Sequence, residues 1–209
     1  MKKYVLRLVA AVLCGLLLCS TAAALPFTDV GEDDDLYESV QYLWENGIVS
    51  GTEETRFDAE LPILRAELTV MLWRLEGCPV VNYLMRFTDV QQAEWYAEAV
   101  RWAAAEKLVS GHGDDTFAPM DAITRAELAA MLYRYVQYKG GGFKDMWMFL
   151  LRYDDVADIP EWAYESFCWL TMNDIYLRPT DTTLVPQGDV TRGEAAEMLY
   201  RMINCLKTA

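Results

Sequence analysis

The pattern of apolar and polar positions along the chain predicts pairs of amphipathic helices. From Leu128, apolar residues stand at i, i+3, i+4, i+7 and i+8, and this spacing recurs from Ala195 and, in part, from Leu68. A shorter stripe that includes Tyr96 and Val100 precedes the one at Leu128. Apolar stripes of this kind are typical of helices that pack one face against a core. We therefore expect an all-α protein.

The helix pairs belong to a unit that occurs three times. Residues 27–75 align with 87–135 without a gap, and 18 of the 49 positions are identical. A third copy follows from residue 153, and such self-similarity indicates a repeat protein. A two-helix unit cannot bury its own stripe, so the copies either stack as a short solenoid or close into a pseudo-threefold trimer. The expected boundaries are repeat 1 at 25–80, repeat 2 at 85–139, a linker or docking patch at 140–152, and repeat 3 at 153–206.

The second helix of repeats 2 and 3 begins with the pattern of a capping box. In this pattern a threonine side chain accepts from the amide three residues on, and a glutamate at that position caps the threonine amide in return. The pairs are Thr124 with Glu127, and Thr191 with Glu194.

An arginine follows each helix start, as Arg65, Arg125 and Arg192. Capping does not explain it, because a positive charge in the first helical turn is unfavourable by roughly 0.3–1 kcal/mol. Two explanations stay open. The guanidinium could hold an anion beside unpaired helix amides, or it could pair with an acidic residue of the chain.

The first 24 residues predict a secretory signal peptide. Lys2, Lys3 and Arg7 precede an apolar run at 8–19, and three alanines end at residue 24. A membrane anchor is the weaker alternative, because the run is shorter than the about 20 residues that span a bilayer. We expect a secreted protein with no membrane span after cleavage.

Composition narrows the possible partners. The formal net charge is −14, which disfavours nucleic acid and anionic lipid, so an anionic ligand would need a local basic pocket. Outside the predicted signal peptide, three cysteines without a CxxC pattern do not indicate a disulfide framework, although one pair could form: Cys78, Cys168 and Cys205.

No residue pattern predicts catalysis. His112 is the only histidine, and the acidic run 33–35 lacks the spacing of a calcium loop. Carboxylates are so numerous that a glycosidase pair is not excluded by counting. Because repeats account for nearly all of the chain after the leader, we expect no enzyme activity, no cofactor, no metal and no separate effector domain.

The combined motif resembles the S-layer homology domain. Its elements are an aromatic-x-Asp-Val start, a tryptophan before a helix, a glycine loop, phenylalanine, proline and (I/V)TR(A/G)E. The resemblance covers 27–76, 87–137 and 153–204. It implies a pseudo-trimer of three helical repeats with a central three-helix bundle. It also implies non-covalent attachment of a bacterial cell-surface protein to cell-wall polysaccharide, commonly one bearing a pyruvate ketal.

The resemblance also implies a site, in which the TRAE-type arginines contact the acidic sugar in grooves between neighbouring repeats. The candidate binding residues are Arg125, Arg192, Arg65, Trp95, Trp162 and Gly111. For the two tryptophans, core packing is an equal alternative. The alternative function is a surface module that binds another protein, in which the arginines are structural.

Two repeats depart from the motif. Repeat 1 has Leu64 at the capping position and Asp35 in place of the tryptophan, so we expect its site to be weak or lost. Repeat 3 has Arg178 in place of the loop glycine. That side chain would either block a groove or add a second cation.

Overall fold

The described part of the chain is helical. A computed structural model describes residues 25–144 and 149–208, and the predicted signal peptide lies outside them. Among these residues there is no β-sheet, which confirms the all-α class. The helices are α1 (Tyr37–Glu45), α2 (Arg65–Leu75), α3 (Ala97–Ala105), α4 (Arg125–Tyr138), α5 (Glu161–Met172) and α6 (Arg192–Thr208), with a 3₁₀ turn at Val156–Asp158.

The helices of different repeats pack in a closed cycle. The second helix of each repeat packs on the first helix of the next, as α2 on α3 and α4 on α5. The cycle closes because α6, the last helix, packs on α1, the first. Each apolar stripe is thereby buried by a neighbouring repeat. The helix contacts therefore run in a closed cycle and not in the open row of a solenoid, while pseudo-threefold symmetry stays a prediction.

Three buried residues join the repeats through backbone hydrogen bonds. The Ile63 amide donates to the Val190 carbonyl at 2.9 Å, and the Val190 amide donates to Ile123 at 3.2 Å. The Ile123 amide donates back to Ile63 at 3.0 Å. All three side chains are fully buried just before the second helix of their repeat. The helix starts of the three repeats are thus held together, and α4 also contacts α6. The central three-helix bundle stays a prediction.

The aspartate of each aromatic-x-Asp-Val start fixes the loop before the second helix. In repeat 1, Asp29 accepts from the amides of Phe57 and Asp58 at 2.9 and 2.7 Å. Asp58 has a φ of 56°, a left-handed conformation that side chains rarely adopt. The same arrangement recurs in the other repeats, around Asp89 with Ala118 and around Asp155 with Val185.

The described ends of the segment between repeats 2 and 3 dock on the helices. Phe143 packs near Tyr133 of α4 with ring centroids 6.3 Å apart, and Leu151 is buried. The cysteine pair that the sequence left open is not formed, because all three described cysteines are free thiols.

Candidate functional site

The arginine at the start of α2 is buried and pairs with the next repeat. Arg65 is 4% exposed, and its Nη1 lies 2.7 Å from Oε1 of Glu127 in repeat 2. Its Nε and Nη2 donate to the carbonyls of Phe117 and Ser110 at 2.9 and 3.2 Å. Burial lowers the pKa of Arg65, although the nearby Glu127 carboxylate acts in the opposite direction. All three nitrogens of this guanidinium group therefore have partners within the protein.

The same ion pair recurs cyclically between the other repeats. Arg125 pairs with Glu194, and Arg192 pairs with Glu67. Each glutamate uses its second oxygen to cap its own helix, as in the 3.0 Å bond from the Thr191 amide to Glu194. One carboxylate thus serves both as a helix cap and as the partner of the preceding repeat's arginine. The sequence left two explanations for the helix-start arginine, an anion site or an acidic partner within the chain. The structure supplies the acidic partner.

The first-turn amides of these helices also have protein partners. In α4, the amides of Arg125 and Ala126 donate to the carbonyls of Gly188 and Pro186, each at 2.9 Å. The Glu127 amide donates to the Thr124 hydroxyl at 3.2 Å. An anion site built on unpaired amides at this helix start is therefore not present.

Two equivalent grooves lie where three repeats meet. Groove 1 has a volume of about 480 Å³, and groove 2 has a volume of about 140 Å³. Each combines an arginine of one repeat, the glycine loop and second helix of the next, and the tryptophan of the third. Groove 1 is lined by Arg65, Gly111, His112, Met131, Arg134 and Trp162, and groove 2 by Arg192, Gly51, Met71, Arg74 and Trp95.

The groove tryptophans are surface residues. Trp95 and Trp162 are each 55% exposed, whereas Trp102 of α3 is 1% exposed. The core-packing alternative for the first two is therefore wrong. Their exposed ring faces form apolar walls beside polar groups.

Each groove contains an arginine without an acidic partner. Arg134 lies on α4, and its Nη1 is 3.2 Å from the Ser110 hydroxyl. Arg74 occupies the same place on α2 and makes one long bond of 3.4 Å to the Ile48 carbonyl. Neither forms an ion pair with any carboxylate in the described ranges. Burial lowers the pKa of Arg134, because no neighbouring negative charge offsets the desolvation.

Arg74 and Arg134 are not among the binding residues that the sequence motifs predict. The signal was present, since both stand nine residues after the helix-start arginine, as does Arg201 in repeat 3. Nothing in the sequence distinguishes a paired arginine from an unpaired one, because the partners come from other repeats.

Two of the departures from the motif, Asp35 of repeat 1 and Arg178 of repeat 3, belong to one place. This third position corresponds to grooves 1 and 2 by the repeat alignment. There, Asp35 replaces the groove tryptophan and Arg178 replaces the groove glycine. Glu197 stands where groove 1 has Ala130, and it pairs with Arg201 at 2.6 Å. Because a groove takes parts from three repeats, these substitutions affect one position, and grooves 1 and 2 keep the tryptophan, the leading loop glycine and the arginine without an acidic partner.

Gly111 has a packing reason to be glycine. A Cβ at this position would lie 2.3 Å from the Thr116 carbonyl and 2.7 Å from the Phe87 ring. The residue also lines groove 1 with its backbone. The loop therefore approaches Phe87 closely and presents main chain to the groove.

Among residues 25–144 and 149–208, no group of acidic, histidine or cysteine side chains is arranged to hold a metal ion. In the same ranges, no helix is both long and apolar enough to cross a membrane.

Comparisons with known proteins agree with this arrangement of repeats. The family model of the S-layer homology domain matches residues 26–69, 86–129 and 152–196. The amylopullulanase of Thermoanaerobacterium thermosulfurigenes is 27% identical over 85% of this chain and 9% of its own length. The surface layer protein of Brevibacillus choshinensis is 30% identical over 66% of this chain and 13% of its own length. The cellulosome-anchoring protein of Acetivibrio thermocellus is 27% identical over 70% of this chain and 33% of its own length. The chain therefore spans a third or less of each of these relatives.

Proposed function

This chain belongs to the S-layer homology domain family, and on that premise we propose that it attaches non-covalently to an anionic polysaccharide of a bacterial cell wall. The proposed recognition element is a sugar bearing a pyruvate ketal, and the proposed sites are grooves 1 and 2. The observation that carries the proposal is an unpaired arginine beside an exposed tryptophan in each groove.

The chemistry of groove 1 suits such a sugar. A pyruvate ketal presents one carboxylate, which the planar guanidinium of Arg134 can hold through two parallel N–H donors. The exposed face of Trp162 offers an apolar surface for the C–H face of a sugar ring. The main chain at Gly111 can approach the ligand closely, because no side chain projects from it. Arg74, Trp95 and Gly51 supply the same three elements in groove 2.

The helix-start arginines take a supporting role in this proposal. Arg65 and Arg192 line the grooves, but their donors are engaged by glutamates and backbone carbonyls. They hold adjacent repeats at the spacing that forms the groove and contribute positive charge to its wall. Arg125 likewise holds repeats 2 and 3 together through its ion pair with Glu194.

Local geometry lets a strongly acidic protein bind an acidic polymer. The net charge of −14 repels an acidic polymer mainly at long range. Salt screens this repulsion, because the Debye length is about 8 Å at physiological ionic strength. The contacts in a groove are shorter and partly desolvated, so they are screened less. Two grooves that bind one polymer would add avidity to individually weak sites.

The location follows from the same proposal. We place the protein at the bacterial cell surface after secretion by the signal peptide predicted at residues 1–24. The relatives include a surface layer protein and a cellulosome-anchoring protein. The activities of enzyme relatives are not transferred, because this chain matches only 9% of the amylopullulanase. An anchoring module without catalytic activity is the function proposed.

Co-sedimentation with purified cell-wall sacculi tests the proposal. Residues 25–209 should sediment with native sacculi, and binding should fall when the polysaccharide is stripped or its ketals are removed by mild acid. The Arg74→Gln/Arg134→Gln variant should lose most of the binding. The matched control, Arg201→Gln, should bind like the wild type, because Arg201 already pairs with Glu197.

Two results would contradict the proposal. Equal binding by the double variant would remove the groove arginines from recognition. No binding to walls of the source organism would favour the alternative function, a surface module that binds a protein partner.

A further inference from the structure

A second cavity adjoins groove 1 on the other side of the loop 110–113. Its volume is about 300 Å³. Three loop residues line both this cavity and groove 1: Ser110, Gly111 and Gly113. The remaining lining residues are Arg86, Phe87 and Asp115. A ligand that leaves groove 1 across this loop therefore enters the second cavity.

Arg86 gives the second cavity a positively charged group. Its guanidinium lies over the Phe87 ring, 4.8 Å from the ring centroid. It forms no ion pair with a carboxylate of the described residues. The N–H donors of a guanidinium point outward in the plane of the guanidinium, so stacking on a ring does not cover them. They remain available for a carboxylate that approaches from the edge.

The packing beneath Arg86 fixes its position relative to groove 1. Phe87 is 4% exposed, and its ring touches Gly111 so closely that a Cβ there would lie 2.7 Å away. Arg86, Phe87 and Gly111 thus form a contiguous stack that ends at the wall of groove 1. Gly111 and Gly113 add no side chain to the loop that separates the two cavities.

Groove 2 lacks this extension. By the alignment of repeats 1 and 2, Pro26 occupies the place of Arg86, and Glu53 occupies the place of Gly113. The loop of repeat 1 therefore lacks a counterpart of Arg86 and carries Glu53, while its own arginine, Arg56, is already paired with Asp58. Repeat 3 has an arginine at this place, Arg152, but threonine in place of the second loop glycine, Thr180.

We propose that the Arg86 cavity is a second subsite, which binds an acid-bearing sugar next to the one held in groove 1. The inference rests on the proposed function of groove 1 and extends it. Arg86 binds the carboxylate of the neighbouring sugar, and Asp115 accepts hydrogen bonds from its hydroxyl groups. Groove 1 then recognises a stretch of polymer, whereas groove 2 recognises a single sugar.

The test compares ligands of two lengths in the Arg74→Gln background, which removes groove 2. The probes are a methyl glycoside carrying one pyruvate ketal, and a fragment of the wall polysaccharide containing two ketal-bearing sugars. Calorimetry should show that Arg86→Gln weakens binding of the fragment by about 3–10-fold. The affinity for the single sugar should stay within about twofold of the affinity of the Arg74→Gln parent protein. The control Arg152→Gln should change neither affinity.

The outcomes separate the two proposals. An equal loss for both ligands, or no loss for either, would overturn the subsite while leaving groove 1 intact. Arg134→Gln should abolish binding of both ligands, because it removes the first contact. Failure of the parent protein to bind either ligand would overturn the proposed function, and the subsite with it.

Discussion

The guanidinium of Arg65 in repeat 1 and the carboxylate of Glu127 in repeat 2 are joined at 2.7 Å across a boundary between repeats. The other oxygen of Glu127 accepts from the Thr124 amide at 3.0 Å, so it also caps α4. This relationship explains the arginine in the first helical turn. The position is mildly unfavourable near the helix dipole, but from it the guanidinium reaches the capping glutamate and two loop carbonyls of the next repeat.

We predict that Arg65→Ala destabilises the fold by about 2–4 kcal/mol. The substitution leaves Glu127 without its partner, and it leaves the buried Phe117 carbonyl and the partly buried Ser110 carbonyl without a donor. The partial exposure of Glu127 moderates the loss. Urea unfolding followed by circular dichroism measures the change. The control Arg56→Ala removes an ion pair at the solvent-exposed surface and should change the stability far less than Arg65→Ala does. Equal effects of the two substitutions would contradict the prediction.

The two classes of tryptophan should separate in stability and in binding. Trp102→Ala should cost about 3–5 kcal/mol, because the ring is fully buried. Trp162→Ala should cost less than about 1 kcal/mol, because the ring is 55% exposed, yet it should weaken sugar binding at groove 1. Thermal unfolding and binding to the ketal-bearing glycoside measure the two effects. Unchanged affinity in Trp162→Ala would show that the ring is not part of the site.

Gly111 should not tolerate a side chain. Gly111→Ala places a Cβ 2.3 Å from a backbone carbonyl, so the loop must move, at a cost of about 1–3 kcal/mol. Gly31→Ala is the matched control, since a Cβ there meets nothing within 4 Å. Denaturant midpoints of the two variants provide the comparison. A fully stable Gly111→Ala protein would argue against the close approach of the loop to Phe87.

Stability should depend on the ionisation of Asp29. Burial acts to raise the pKa of Asp29, but hydrogen bonds from the Phe57 and Asp58 amides outweigh it, so the pKa lies below its usual 3.8. A carboxyl group with a lowered pKa stabilises the fold above its unfolded-state pKa, and this contribution is lost as the pH falls through the folded-state value. Asp29→Asn should therefore be less stable at pH 7, by less than about 1 kcal/mol because solvent screens the largely exposed carboxylate. The difference from wild type should shrink below about pH 4. Unfolding free energies measured between pH 2 and 7 test this, and a constant difference would count against it.

The Arg86→Gln variant, which lacks the proposed subsite beside groove 1, should bind two ketal-bearing sugars, not three. The third position combines Asp35, Arg178 and an arginine neutralised by Glu197. Calorimetry with the ketal-bearing glycoside should therefore give a stoichiometry of two. The variant Asp35→Trp/Arg178→Gly/Glu197→Ala restores the residues of groove 1 and should raise it towards three. Three sites in the Arg86→Gln variant, without the three further substitutions, would refute this assignment.

The grooves show how far sequence reasoning extended. The residues that form them follow from the repeat alignment, and both tryptophans, Gly111, Arg65 and Arg192 line grooves as the family resemblance implied. The sequence did not indicate that Arg134 and Arg74 are the unpaired cations. It also assigned the departures at Asp35 and Arg178 to separate repeats, although they meet at one position.

The sequence by itself determined the helical class, the three repeats and the residues at which the second helices begin. These features depend on local periodicity and on contacts within a few residues, which an alignment of repeats makes visible. Only the tertiary structure decided which arginines are paired, because their glutamates lie 62, 69 and 125 residues away. Closure of the ring creates those contacts and joins three repeats around each groove. Because the repeats are alike in sequence, no local pattern indicates which other repeat each of them will contact.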